Sequence, residues 1–135
     1  MTHHKNYLAL DVGEKRIGVA VGDNTVRIAM PLDTVEVDGN ELEKIARYLI
    51  DQDIDTIVIG YPRNQAGEPT AQTTFVETFA KQLEVMDYKI AFQDESLTSV
   101  LAEQRLKALG QPYSKGDIDA HAAALILQDY LEQLA

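Results

Sequence analysis

The chain has no cysteine, and that absence removes several chemistries at once. Disulfides, a thiolate nucleophile and a thiolate metal site are all excluded, and the composition suits a reducing compartment. No apolar run approaches the ~18 residues of a membrane helix. The opening Met1-Thr2-His3-His4-Lys5-Asn6 lacks the apolar stretch of a secretory signal. A cytoplasmic protein with no membrane partner is the expectation. Basic residues are also scarce: 12 Lys and Arg stand against 22 Asp and Glu, a net charge of -10. A protein that coats nucleic acid normally carries a basic surface. Any nucleic-acid site here must be a local basic patch, or must recruit its positive charge as bound cations. Repeats, low-complexity tracts and linkers are missing too. The 135 residues, 45% of them hydrophobic, suffice for the core of one domain spanning 1–135.

What is present begins as a meander of strands. Leu8 to Val12 reads as a fully buried strand, and Ile17 to Val21 follows after a short Gly-Glu-Lys-Arg turn, as in a hairpin. Ile28 through Val37 predicts a third strand, confined to an edge because Pro31 cannot donate to the ladder. The period then changes. Leu42, Ile45, Ala46, Leu49 and Ile50 follow helical spacing, with Asn40 as the N-cap and Glu43 three residues on. Thr56 to Gly60 is an unbroken apolar strand, buried on both faces. A polar loop from Tyr61 to Pro69 leads to a helix carrying Ala71, Phe75, Phe79, Leu83 and Met86. Lys89 to Gln93 is a fifth strand, ending at Asp94-Glu95. A helix from about Thr98 to Leu109 stops at Gly110, with Pro112 beyond, and a last helix runs from about Gly116 to Leu134. The order βββαβαβαα implies an α/β fold, a five-stranded mixed sheet with helices packed on its faces. Sites in such sheets collect beyond the carboxyl ends of the parallel strands.

Acids mark those ends. Asp11 closes the first apolar run and enters a glycine-bearing turn, where an ionised carboxylate is costly unless compensated. An Asx turn would account for it in isolation. Asp119 shares a helix face with Ala122, Ala123 and Ile126, so it points toward the sheet rather than into solvent. Asp117, three residues after Ser114, suits a capping role instead. Asp94 and Glu95 alternate to opposite faces if the strand persists; Glu95, with the longer arm, is the preferred contributor. Three converging carboxylates repel one another, and a hard divalent cation is the natural remedy. Oxygen ligands select Mg²⁺ or Mn²⁺. Two such ions about 3.5–4 Å apart can activate a water and stabilise a leaving phosphodiester oxygen.

Basic residues lie near the same strand ends. Lys15 and Arg16 follow Asp11, Arg63 lies in the loop after the fourth strand, and Lys115 precedes the last helix. As a set they could grip a phosphate backbone. His3 and His4 fall in a frayed terminus, and His121 lies on a different helix face from Asp119.

Four motifs in register carry a resemblance. They are Asp-Val-Gly-Glu-Lys-Arg-Ile-Gly-Val-Ala (11–20), Ile-Gly-Tyr-Pro (59–62), Asp-Glu-Ser-Leu-Thr-Ser (94–99) and Lys-Gly-Asp-Ile-Asp-Ala-His-Ala-Ala-Ala-Leu-Ile-Leu-Gln (115–128). Together they resemble the YqgF/RuvX family, RNase H-like proteins described as Holliday junction resolvase-like or as pre-16S rRNA nucleases. The resemblance implies an RNase H-like fold and Mg²⁺-dependent phosphodiester hydrolysis in the cytoplasm. It also implies a role in trimming the 5′ end of precursor 16S ribosomal RNA. By it, Asp11 corresponds to the first-strand metal ligand, Asp94-Glu95 to the second acid and Asp119 to the last-helix acid. Three residues depart from the pattern: Glu14 for a common threonine, Ser96 for a usual arginine and Tyr61 for a common leucine. They bear on substrate affinity more than on metal binding.

Other functions compete. A branched-DNA nuclease of the junction-resolvase type would need paired active sites, hence a homodimer, whereas an RNA trimmer could act as a monomer. A non-catalytic RNA-binding assembly factor would suit the acidic surface and the absence of arginine at position 96. An ATPase of the actin and sugar-kinase type also begins its phosphate loop Asp-x-Gly. That machinery clamps ATP between two such domains, and the chain is too short for it.

Overall fold

Leu8, Ala9 and Leu10 offer water nothing polar, and the strand they form, β1 (Asn6–Val12), lies in the middle of a five-stranded sheet. The computed structural model describes residues 4–62, 71–95 and 98–134, side chains excepted at 95 and 98–100. β2 (Arg16–Asp23) returns antiparallel to β1, and β3 (Met30–Glu36) returns antiparallel to β2. The Gly13 N–H donates to the Arg16 carbonyl at 3.0 Å and closes the first turn. After α1 (Glu41–Asp51), β4 (Thr56–Pro62) pairs parallel with β1 on its other side. After α2 (Ala71–Glu84), β5 (Lys89–Glu95) pairs parallel with β4. The order across the sheet is β3-β2-β1-β4-β5. Two helices follow, α3 (Thr98–Ala108) and α4 (Lys115–Gln133). This is the mixed α/β sheet that the sequence pattern predicts.

The pleat divides the core in two. Leu8, Leu10, Val12, Ile57 and Ile59 face α1 and α2, where they meet Ile45, Leu49, Val76 and Leu83. Tyr7, Ala9, Ala20 and Val58 face α4, where they meet Ala123, Ile126, Leu127 and Leu131. β1 and β4 are thus covered on both sides, which explains their unbroken apolar runs.

Several local expectations meet the structure in detail. Pro31 does lie on the edge strand, and the β2–β3 register shifts between Val19 and Ala20. β3 is shorter than predicted, because Ile28 and Ala29 precede it. Ser114 and Asp117 form a reciprocal capping box at the start of α4. Asn40 does precede α1, but its side chain caps nothing. Its own N–H is bound by the Asp38 carboxylate at 2.9 Å, and Glu41 Oε1 takes the Gly39 N–H at 2.7 Å. The acids around Asn40 organise that turn. Gly110, at φ 70°, follows α3 as the stop signal requires.

Candidate active site

Asp11 lies on the α4 side of β1, by the same alternation that puts Tyr7 and Ala9 there. Its antiparallel partner across the ladder is Gly18 of β2. That glycine is where the last helix lands. A Cβ built at position 18 would lie 1.9 Å from the carbonyl oxygen of Asp119 and 2.4 Å from its carbonyl carbon. Only a residue without a side chain lets α4 sit so low on the sheet. Asp119 therefore rests on the residue directly opposite Asp11, although the two acids are far apart in sequence.

The carboxylate of Asp119 is already engaged. Arg16 Nε donates to Asp119 Oδ2 at 2.6 Å, a charge-assisted bond between side chains that are 31% and 21% exposed. That hydrogen bond and the adjacent negative charge hold the Arg16 guanidinium protonated even more firmly than usual. Arg16 also lies across the β2–β3 ladder from Glu36. Lys15 is exposed in the turn beside Asp11. Lys115 is exposed one helical turn before Asp119, on the same side of α4. Arg63 falls outside the described residues.

Two polar contacts pin neighbouring elements to this end of the sheet. Gln72 Nε2, in the first turn of α2, donates to the Val12 carbonyl at 2.7 Å. The buried Thr73 hydroxyl donates to the Pro62 carbonyl at 2.7 Å. On the other side, the Thr34 hydroxyl of β3 donates to the Gly116 carbonyl at 2.5 Å and holds the start of α4.

Asp94 and Glu95 separate. Asp94 pairs with Tyr61 in the β4–β5 ladder. Its side chain lines a hollow of about 350 Å³ with Tyr61, Glu77, Lys81 and Phe92, on the α2 side of the sheet. That is the face opposite Asp11. Position 95, paired with Pro62, has the backbone parity of Ala91, whose partner Val58 packs beneath α4. The Glu95 side chain is not among those described. Among the described residues no group of three acids or histidines is close enough to hold a metal ion. His121 turns its Nδ1 to the Asp117 carbonyl, 3.1 Å away, within its own helix.

The sequence marks Asp11 and Asp119 but not what joins them. Gly18 does carry a signal, since an isolated glycine inside a strand marks close backbone approach. Gln72, Thr73 and Thr34 carry no comparable mark.

Comparison with known proteins agrees with this architecture. The model of the RuvX family, described as a Holliday junction resolvase, matches residues 5–133. A Chloroflexus aurantiacus protein named "Putative pre-16S rRNA nuclease" is 42% identical over 130 residues, covering 93% of this chain and 85% of its own. A Chloroflexus aggregans protein of the same name is 40% identical over 135 residues, covering 96% and 95%. Two solved structures share the fold at 14% identity. Thermus thermophilus RuvC in complex with a Holliday junction substrate superposes with a TM-score of 0.54, covering 90% of this chain and 91% of its own. Fowlpox virus resolvase with Holliday junction DNA superposes with a TM-score of 0.55, covering 96% and 98%.

Proposed function

The chain belongs to the RuvX family of nucleases, and we propose that it hydrolyses phosphodiester bonds of structured RNA at Asp11, Glu95 and Asp119, maturing the 5′ end of precursor 16S rRNA in the cytoplasm. The observation that carries the reading is the seating of Asp119 on Gly18, opposite Asp11. Arg16 already meets Asp119 at Oδ2, so the reading rests on where the two acids are placed and not on an unmet charge. A carboxylate so placed costs stability unless a cation or donor meets it.

The donor set fits a hard divalent ion, since it consists of carboxylate oxygens with neither sulfur nor imidazole. Asp11 and Asp119 would hold Mg²⁺ or Mn²⁺, together with Glu95, which shares the sheet face of Asp11 by backbone parity. Asp94 lines the opposite face, and that favours Glu95 as the third acid. Bound there, two such ions would supply Lewis acidity and an activated water at neutral pH. The chain's own contribution is to position. The ladder fixes Asp11, α4 fixes Asp119, and Lys15, Arg16, Arg63 and Lys115 grip the phosphates on either side of the scissile bond. With a net charge of -10 the protein as a whole repels a polyanion, so these few cations and the metal must outweigh it locally.

Branched DNA is the second reading, favoured by the family's description as Holliday junction resolvases. One experiment separates them. The pure protein is incubated with 5′-extended 16S precursor and with a four-way DNA junction, in Mn²⁺ or in chelator. Cleavage of the precursor is expected in Mn²⁺ and is lost in chelator. Asp11→Asn and Asp119→Asn each lower it by about 100-fold or more, the loss of several kcal/mol of charge stabilisation. Undiminished cleavage in either variant would remove the mechanism. Binding of the RNA without cleavage in any metal would leave an assembly factor, and preferential cutting of the junction would reassign the substrate.

A further inference from the structure

Asp119 is asked to serve two cations. In the structure its Oδ2 takes the Arg16 Nε–H at 2.6 Å, the sole ion pair among the described residues that ties α4 to the sheet. The metal reading above, on which this inference rests, requires the same carboxylate. A guanidinium within hydrogen-bond distance of a carboxylate that also binds a divalent ion would face strong like-charge repulsion. An ion that takes Oδ2 displaces the guanidinium from it. Arg16 has somewhere to go: its side chain is partly exposed, and Glu36 lies directly across the ladder.

We propose that Arg16 is an internal counterion that holds Asp119 in the metal-free protein and yields it to the divalent ion, so that metal loading frees the guanidinium for the substrate's phosphate. Arg16 then has two stations. At the first it neutralises a carboxylate that would otherwise sit uncompensated over Gly18 and beside Asp11. At the second it adds a donor fork where a phosphate would lie. The arrangement couples the two cationic needs of the site in a fixed order, metal before substrate. It also keeps an empty acidic pocket from pushing α4 off the sheet.

The test reads the arginine and the metal separately. In ¹⁵N-labelled full-length protein with chelator, the Nε–H signal of Arg16, identified by its loss in Arg16→Gln, should be shifted and slow to exchange. Adding Mg²⁺ should return it to the position of a free arginine, in step with loading. By calorimetry, Arg16→Gln should bind Mn²⁺ about 3- to 10-fold tighter than the unaltered chain, since a competing partly exposed cation has gone. Lys15→Gln, which removes a neighbouring charge that does not touch Asp119, should shift affinity by less than about 2-fold. Unchanged or weaker Mn²⁺ binding by Arg16→Gln overturns the proposal. So does an Arg16 signal that stays put while Mg²⁺ saturates the site, and in both cases the metal site itself survives. If neither protein binds Mn²⁺ at all, the metal reading falls and the counterion with it.

Discussion

The two faces of the sheet are packed by different kinds of side chain. Toward α1 and α2 the strands present leucine, isoleucine and valine, and the helices answer with Ile45, Leu49, Val76, Phe79 and Leu83. Toward α4, β2 presents Gly18, Ala20 and Gly22, β1 presents Ala9, and the helix answers with Ala120 and Ala123. Large residues bury more area per position and so contribute more of the stability. Small residues give up area and let the helix backbone come close. The α1–α2 face supplies stability, and the α4 face supplies placement, because it carries Asp119 to the residue opposite Asp11. At the far end of α4 the bulk returns, with Leu127 and Leu131 over Gly22.

The contrast makes predictions of unequal size. Gly18→Val should have the largest effect, because its side chain would meet helix backbone that cannot yield. It should cost about 3 kcal/mol or more in urea unfolding and abolish Mn²⁺ binding even where the chain remains folded. Ile57→Ala, on the opposite face, should cost about 3 kcal/mol and leave the Mn²⁺ affinity of the folded protein within about 2-fold. If Ile57→Ala also lost the metal, the division of labour would be wrong.

A smaller effect belongs to the caps. Ser114→Ala removes half of the reciprocal box at the start of α4 and should cost about 1 kcal/mol. Asn40→Ala, at a cap position whose side chain makes no cap bond, should cost no more than about 0.3 kcal/mol in the same melts. The smallest effect lies on neither face. Asp23 in the β2–β3 turn accepts from the Val26 and Thr25 N–H groups at 2.7 and 3.0 Å, and the Val26 bond first of all holds its carboxyl below the usual range. A depressed carboxyl stabilises the fold above its unfolded value, near pH 4, and loses that contribution as pH falls. Asp23→Ala should therefore flatten the acid limb of the stability profile and cost well under 1 kcal/mol at pH 7.

Much of this architecture is legible along the chain. Apolar runs and helical spacing predict all nine elements in order, Pro31 predicts the edge, and Ser114 with Asp117 predicts the cap. Two of the candidate acids also stand out, because a carboxylate on an apolar helix face or at the end of a buried strand demands a reason. What one dimension cannot show is contact across it. Alternation says that Asp94 and Glu95 part company, but only the sheet says that Asp94 turns toward Phe92 and α2. The bond from Arg16 to Asp119 joins residues 103 apart and follows from no local rule. Asn40 misleads because neighbouring acids satisfy its turn first.

That separation along the chain has a consequence for how the protein is made. β1 and the four strands that flank and extend its sheet all leave the ribosome before α4 does. Until that helix is synthesised and settles over Gly18, Arg16 lacks its partner and Asp11 lacks the acid that is placed opposite it. A chain that lacks its last helix therefore lacks the juxtaposition of Asp119 with the residue opposite Asp11.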